Sequence, residues 1–430
     1  MNRKNNIPCS RSDLLARLSA SSRLNNTDQR HFREFGELLS ALIHFQAHQQ
    51  YERMKSNLAL VDGHEQPQSG NNAPSPEHVA NRLIDDFSEI LTRANYFPID
   101  EQEIHEALNK TSLIPVRTAV NFADFKLVRF FYRNKSPASV QIKKFFRQKE
   151  LLVDTYDRMV VLLTTANTVE HQSSRNATSQ VDELEPNRVY LNLYKNIPHG
   201  DLELLFPNIK ISMTLKDKLL LVVPAVGAAV PMALKILPSL GLLVGLIAFV
   251  VFGYELTGTF KVDPENQKAT YALFTAVLSI GLALGGFAAQ QYLKYKSKRL
   301  SFLKKVADTL FFKTLDVGKG VISSVVDAAE EEQCKEILMT YFLLSCASSP
   351  INEQELDSAA EAWLSNEFDT NVDFKVGKAL EEITTLTETS DDPGLIIRHE
   401  DDTYSVCDLV TAKERLDKIW DNAFPYSNQT

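Results

Sequence analysis

Two long runs without a charged residue constrain the fold of this 430-residue chain more than any other feature. The first run covers residues 236–254, and the second extends from Tyr271 to Tyr292. As a helix, each is about long enough to cross roughly 30 Å of hydrocarbon. Because a short polar loop joins the two runs, we expect a transmembrane helical hairpin with spans at about 236–254 and 271–292.

Basic residues around the runs set the expected orientation. Six follow the second run: Lys294, Lys296, Lys298, Arg299, Lys304 and Lys305. Three precede the first: Lys210, Lys216 and Lys218. The positive-inside rule therefore places both flanking parts on the cytoplasmic or matrix side. Residues 219–234 are also apolar but contain Pro224 and Pro231, which favours an interfacial or re-entrant lead-in. A third crossing is the alternative, and it would put the flanking parts on opposite sides.

Charge and cysteine content exclude several classes of function. The formal net charge is −9, which argues against a nucleic-acid partner because phosphate binding requires a basic surface. The four cysteines form no CxxC pair, so neither a zinc site nor a disulfide framework is expected. The amino terminus lacks the apolar core of a signal peptide, although its Arg- and Ser-rich composition would suit a mitochondrial transit peptide.

The part before the spans divides in two. Residues 1–110 are expected to form a helical region, because apolar residues such as Phe32, Phe35 and Leu39 recur at helical spacing. Residues 111–215 are expected to form a small β-rich α+β domain, because short runs of Val, Phe, Tyr and Leu alternate with polar breaks. We expect an antiparallel sheet.

Residues 216–295 make up the membrane region, and residues 296–332 a basic juxtamembrane and helical connector. In residues 333–430 we predict three helices, two strands and a last helix, which is a winged-helix-like order. Asn352 caps the second of these helices, and Glu381 and Glu382 give the third a charge of the wrong sign for DNA. The predicted fold class is thus an α+β membrane protein: a helical and α+β amino-terminal part, a two-helix transmembrane hairpin and a winged-helix-like carboxy-terminal domain.

Three stretches carry a resemblance to a known family. They are YLNLYKNIPHGDLELLFPNIKISMTLKDKLL from Tyr190, QQYLKYKSKRLSFLKKVADTLFFKTLD with DAAEEEQCKEILMTYFLL, and VDFKVGKALEEITTL with ERLDKIWDNAF. The chain resembles the transmembrane protein 143-like family, whose members are uncharacterised proteins of bacterial and mitochondrial membranes. IPCSRSDLLARL is similar to the family's own opening, which favours a bacterial inner or plasma membrane protein over one of the mitochondrial inner membrane. The chain departs from the family at Val317 and Gly318, where members tend to carry Asn. The resemblance implies architecture and no reaction.

Two sets of residues are candidate sites. Gly241 with Gly245, and Gly281 with Gly285, place small residues on one face of each span, which suits close helix packing. The segment from Lys126 to Lys149 holds eight basic residues and no acidic one. Its end could contact anionic lipid headgroups through Lys143, Lys144, Arg147 and Lys149. The alternative is a sheet with solvated basic faces.

No catalytic, cofactor or metal site is predicted. His44 and His48 have metal-ligand spacing but lack a third ligand, so a surface pair is the simpler interpretation. His199 and Asp201 are the nearest approach to an acid–base pair, although helix capping by Asp201 suffices. The run Glu330 to Glu332 is interpreted as a solvated helix face.

The leading hypothesis is a non-enzymatic, membrane-tethered scaffold or interaction module. Its expected partners are the lipid bilayer and a protein, or further copies of the chain. An enzyme acting on a membrane-associated substrate is the alternative. A channel or carrier subunit is disfavoured because the spans lack ionisable residues.

Overall fold

The computed structural model describes residues 3–62, 76–100, 102–104, 117–144, 147–166, 184–212, 267–387 and 394–423. The chain forms two compact units. The first unit contains Met1–Leu113, Asn121–Asn208 and Phe312–Thr430, and the second contains Ile114–Val120 and Ile209–Phe311.

Eight helices account for most of the described residues. They are α1 (Arg11–Ser19), α2 (Asn26–Val61), α3 (Pro76–Arg93), α4 (Gln267–Lys313), α5 (Lys319–Ser345), α6 (Glu353–Phe368), α7 (Val376–Thr387) and α8 (Leu409–Asp421). Polar side chains cap several of them, because the first backbone N–H groups of a helix lack intrahelical partners. Asn25 caps α2, Asn352 caps α6 and Asp408 caps α8.

Ten strands are described. They are β1 (Phe97–Pro98), β2 (Arg117–Ala119), β3 (Phe125–Lys144), β4 (Arg147–Thr165), β5 (Val189–Pro198), β6 (Lys210–Ser212), β7 (Thr314–Val317), β8 (Ile351–Asn352), β9 (Ile396–Arg398) and β10 (Thr403–Val406). Five of them form an antiparallel sheet in the order β1-β3-β4-β5-β7. The strands β3, β4 and β5 within the predicted range 111–215 pair antiparallel, and the sheet also includes β1 and β7 from outside that range.

The β3–β4 hairpin is longer than the sheet to which it belongs. It is paired from Phe125 and Thr165 to Lys144 and Arg147. Strand β5 pairs with β4 only as far as Thr155. The last eight residue pairs, from Pro137–Asp154 onward, therefore continue as a two-stranded ribbon, about 25 Å long at roughly 3.3 Å per residue.

Helix α5 passes through both hydrophobic clusters of the first unit. Its first half contributes Val321, Ile322 and Val325 to a cluster formed with α3 and the sheet. Its second half, from Cys334 to Leu344, lies in a cluster formed with α1, α2, α6, α7 and α8. In this second cluster the Phe35 and Tyr341 rings stack at a centroid distance of 4.4 Å. One helix is thus buried along nearly its whole length, and the buried part includes the charged side chains of Glu332, Lys335 and Glu336.

The carboxy-terminal elements follow α5 in the order β8, α6, α7, β9, β10, α8. Strand β10 lies between β8 and β9 in an antiparallel three-stranded sheet. Helix α7 packs on α5, and the Tyr341 hydroxyl of α5 donates to the Cys407 carbonyl oxygen after β10 at 2.7 Å. This arrangement attaches the sheet to the central helix.

In the second unit, strands β2 and β6 pair antiparallel from Arg117–Ser212 to Ala119–Lys210. Its other described element is α4, which is 47 residues long. At 1.5 Å per residue a helix of this length measures about 70 Å.

The predicted transmembrane hairpin is wrong. Within the described ranges, no helix is long and apolar enough to cross a membrane. Residues 271–292 are part of α4, and much of this run is Ala, Gly, Ser, Thr and Gln. A run without charged residues is required of a spanning helix but does not by itself show that a helix spans a membrane. Residues 219–234 and 236–254 lie outside the described residues. The fold is a mixed helix and sheet structure. The prediction of an integral membrane protein depended on the hairpin and is therefore also wrong.

Candidate interaction groove

One face of helix α2 packs in the core, and a neighbouring face lines a groove between α2 and α8. Phe32, Phe35 and Leu39 are fully buried against α5. On the neighbouring face, Leu38 is partly buried and Ala41 is exposed. Helix α8 packs beside this face through the buried Ala412 and Leu416. The two helices consequently leave an open cleft between their outer edges.

The cleft has a volume of about 650 Å³ and is called the α2–α8 groove below. Apolar and acidic side chains line it together: Leu38, Ala41 and Val410, with Glu34, Glu37, Lys413, Glu414 and Asp417. At one end Val410 is 47% exposed. Toward the carboxy end of α8, Trp420 is 41% exposed and meets Phe45 edge-on at a centroid distance of 5.6 Å. The groove thus presents an apolar floor between charged edges.

One acid of the groove is neutralised within the protein. The Lys413 ammonium donates to the Glu34 carboxylate at 2.6 Å, and Arg30 pairs with the same carboxylate at 2.8 Å. The hydrogen bond from Lys413, followed by that from Arg30, lowers the pKa of Glu34 to about 2. Lys413 also lies 2.8 Å from Nδ1 of His31. Glu34 is therefore ionised and already paired.

Three acids of the groove remain uncompensated. Glu37, Glu414 and Asp417 are exposed, and no ion pair joins them to another residue in the described part of the chain. Because Lys413 is used by Glu34, the groove carries an excess of negative charge over an apolar floor. Amphipathic helices bind in such grooves through apolar residues at positions i, i+3, i+4 and i+7. The arrangement therefore suits a helix with basic edges.

The predicted glycine faces are only partly described. Gly241 and Gly245 lie outside the described residues. Gly281 and Gly285 lie in α4, and no neighbouring heavy atom comes within 4 Å of the position that a β-carbon on Gly285 would take. Close packing of a second helix on this face stays a prediction.

The predicted headgroup residues lie together at the end of the β3–β4 ribbon. Lys144 pairs with Arg147, Lys143 with Gln148 and Ile142 with Lys149. Residues that are up to seven positions apart in sequence are thus placed on adjacent positions of two strands. Lipid contact by Lys143, Lys144, Arg147 and Lys149 stays a prediction.

The turn that carries His199 and Asp201 is a 3₁₀ helix, His199–Leu205. Its N-cap is Pro198, so the predicted capping role of Asp201 is wrong. His199 Nδ1 lies 2.9 Å from the Tyr156 hydroxyl, which donates to Glu103 at 3.0 Å. Burial, with the Glu103 charge, raises the pKa of Tyr156 far above its usual range. Tyr156 therefore stays protonated and links His199 to Glu103 without serving as a base.

His44 contacts an acidic side chain. Its Nδ1 lies 2.9 Å from Glu330, which also pairs with Arg11 at 2.9 Å. No group of three or more potential ligands is arranged for a metal ion among the residues that the structure describes.

The interpretation of Glu330 to Glu332 as a solvated face is wrong. The side chain of Glu332 is 2% exposed and pairs at 2.9 Å with Lys335, which is 3% exposed. The backbone N–H of Ile7 donates to Glu332, and Lys335 donates to the carbonyl oxygens of Ile7 and Cys9. The amino-terminal segment thus satisfies the buried charges of α5, as buried ions require.

Sequence reasoning did not find the α2–α8 groove. The helical spacing of apolar residues does not separate the partly buried Leu38 from the fully buried Leu39. One signal was present: α2 carries Leu38, Ala41 and Phe45 at helical spacing beside its core residues. The packing of α8, which is distant in sequence, turns this stripe into a groove.

Comparison with known families gives one match. The family described as "Protein of unknown function (DUF3754)" matches residues 156–320. This segment begins within β4 and ends at the start of α5, so α2 and α8 lie outside it. The match gives no support to the narrower transmembrane protein 143-like family. No curated protein and no solved structure is significantly similar to the chain.

Proposed function

We propose that this chain is a protein-interaction module whose α2–α8 groove binds a basic amphipathic helix. The observation that carries the proposal is the excess of acidic residues, Glu37, Glu414 and Asp417, around an apolar floor in a groove of about 650 Å³. The proposal requires no membrane-spanning segment.

The apolar floor and the acids have different roles in this proposal. Burial of Leu38, Ala41 and Val410 by the bound helix would provide most of the favourable free energy, since apolar burial drives association. The exposed acids would select a partner with Lys or Arg at its edges and speed its association at low salt. We therefore expect affinity to fall as ionic strength rises, because salt screens exposed charges.

Fluorescence anisotropy with the full chain tests the proposal. The probe is a labelled synthetic peptide of roughly 20 residues, with Leu at positions i, i+3, i+4 and i+7 and Lys at the edges. A matched peptide with Glu in place of Lys is the peptide control. The protein variant Glu37→Lys/Glu414→Lys should lose affinity for the Lys peptide by roughly tenfold or more, about 1.4 kcal/mol.

The control variant carries the same change of charge elsewhere. Glu381→Lys/Glu400→Lys alters two exposed acids outside the groove and should change the affinity less than about twofold. Equal binding of the Lys and Glu peptides would overturn the proposal. So would an equal loss of affinity in the groove variant and in the control variant.

A further inference from the structure

The carboxy-terminal half of α4 exposes apolar and basic side chains on the same side of the helix. Leu293 is 62% exposed and Leu300 is 66% exposed. These residues are seven positions apart, and Lys296 and Lys304 lie on the same side of the helix. All four side chains are exposed. This face therefore has the composition that the α2–α8 groove is suited to bind.

The spacing of apolar residues along α4 also matches the spacing of apolar residues along α2. Leu293 and Leu300 are about 10 Å apart along α4, since seven residues rise roughly 10.5 Å. Leu38 and Phe45 on α2 are separated by the same seven positions. An apolar pair on one helix can thus lie beside an apolar pair on the other, with lysines facing Glu37, Glu414 and Asp417.

We infer that α4 of a second copy of this chain occupies the α2–α8 groove, so that the protein self-associates. This inference rests on the proposed function, because it names the partner that the groove binds. The groove and the helix are different surfaces, so the contact is heterologous. A two-fold axis that repeats the contact in both directions gives a closed dimer, and without that axis the contact builds larger oligomers.

Sedimentation velocity of the full chain over a range of concentrations tests the inference. We expect a mass above that of the monomer at low salt and dissociation as the salt concentration rises. The variant Lys296→Glu/Lys304→Glu changes α4, and Glu37→Lys/Glu414→Lys changes the groove. Each variant alone should sediment as a monomer at concentrations where the unaltered chain is associated.

Mixing the two variants separates a lost contact from a lost fold. In the mixture, the glutamates on α4 of one variant face the lysines in the groove of the other, so association should return. A misfolded variant would not be rescued in this way. Restored association supports the inference, and a mixture that stays monomeric overturns it.

The results also distinguish this inference from the proposed function. If the unaltered chain is monomeric at all concentrations but binds the Lys peptide in the groove, the inference fails and the proposed function stands. If the chain is monomeric and the peptide does not bind, both fail. An oligomer whose mass neither variant changes overturns the inference alone.

Discussion

Gly318 connects β7 to α5 in a conformation that other residues avoid. Its φ is +57° and its ψ is −124°, and its N–H donates to the Leu191 carbonyl oxygen at 2.8 Å. A β-carbon strains this region of φ/ψ space even where there is room for it. We expect Gly318→Ala to lower the free energy of unfolding by about 1–3 kcal/mol in chemical denaturation.

Gly285→Ala is the matched control for this substitution. Gly285 lies inside α4 with open space around the position of a β-carbon. Alanine is the better helix former, so this variant should be unchanged or slightly more stable. Equal losses in both variants would contradict a special role for the Gly318 backbone.

Glu382 lies in a buried charge cluster that joins three elements. From α7, Lys378 donates to the Arg93 carbonyl oxygen and to Asn95, which follow α3. Lys378 also pairs with Glu336 of α5 at 2.9 Å, but it is 3.9 Å from Glu382. Both carboxylate oxygens of Glu382 are buried and accept no hydrogen bond. Of the two acids, Glu382 is thus the less well compensated.

We expect the stability of the protein to depend on pH through Glu382. Burial raises its pKa from 4.5 to about 7, against the lowering effect of Lys378, while Glu336 and Glu381 add to the rise and Arg93 opposes it. Between these values the folded protein keeps a proton that the unfolded chain releases. Glu382 therefore contributes its full share to the free energy of unfolding below about pH 4.5, and this stabilisation is lost as the pH rises toward 7.

Urea denaturation of Glu382→Gln across this pH range checks the prediction. The variant and the unaltered protein should be equally stable near pH 4.5, and the variant should become the more stable of the two by about pH 7. Glu400→Gln, at an exposed acid that does not contribute to the shift in the pKa of Glu382, should not alter the pH dependence. A constant difference across the range would show that Glu382 titrates normally.

The buried acids mark the limit of sequence reasoning at the residue scale. Glu332 is interpreted from the sequence as solvated because charged residues usually are. Its side chain is instead buried, and the backbone N–H of Ile7 that donates to it is 325 positions away in sequence. No local pattern contains this information. Caps behave differently, because Asn352 and the helix that it caps are adjacent, and that prediction is confirmed.

At the scale of elements, the β3–β4 ribbon contains the basic residues that are predicted to contact anionic lipid headgroups. Register places Lys143, Lys144 and Arg147 at its end, beyond the rest of the sheet. Basic residues near an anionic surface each contribute about 1 kcal/mol. We expect Lys143→Glu/Lys144→Glu/Arg147→Glu to abolish cosedimentation of the full chain with vesicles containing phosphatidylserine.

Two comparisons control the vesicle experiment. Neutral phosphatidylcholine vesicles should not bind either protein. Arg23→Glu/Arg33→Glu/Lys418→Glu, which reverses three exposed basic residues outside the ribbon, should leave binding to anionic vesicles in place. Unchanged sedimentation of the ribbon variant would exclude this site.

Helices and strands are predicted best from the sequence where the element is long and has a capping residue. The helix that Asn352 caps and the last helix predicted in residues 333–430 are confirmed, with described bounds of Glu353–Phe368 and Leu409–Asp421. Strand β7 was not predicted, because Thr314–Val317 has only four residues and exists by pairing with β5. The predicted transmembrane hairpin is wrong, because no helix within the described ranges is long and apolar enough to cross a membrane.

At the scale of the molecule, the first unit is assembled from segments far apart in sequence. Strand β7 joins the sheet after a separation of more than a hundred residues from β5. Helix α5 then links the sheet cluster to the helical cluster. Periodicity predicts which residues are buried in such a structure but not which cluster they join, because the choice depends on long-range pairing.

Because α5 is buried in both clusters, we expect the first unit to unfold in one transition. Leu162 of β4 is fully buried in the sheet cluster. Both tryptophans lie elsewhere: Trp363 packs against the helical cluster, and Trp420 contacts Phe45 of α2. Leu162→Ala should lower stability by about 2–5 kcal/mol through the cavity that it leaves.

The informative measurement is tryptophan fluorescence during urea unfolding, compared with far-ultraviolet circular dichroism of the same samples. If α5 couples the clusters, Leu162→Ala shifts both midpoints equally, although no tryptophan lies near the substitution. The control is Leu152→Ala on the same strand, where the side chain is 75% exposed and the change should be within about 0.5 kcal/mol. A fluorescence midpoint that stays in place while the dichroism midpoint falls would mean that α5 frays between the clusters, and that each cluster is stable without the other.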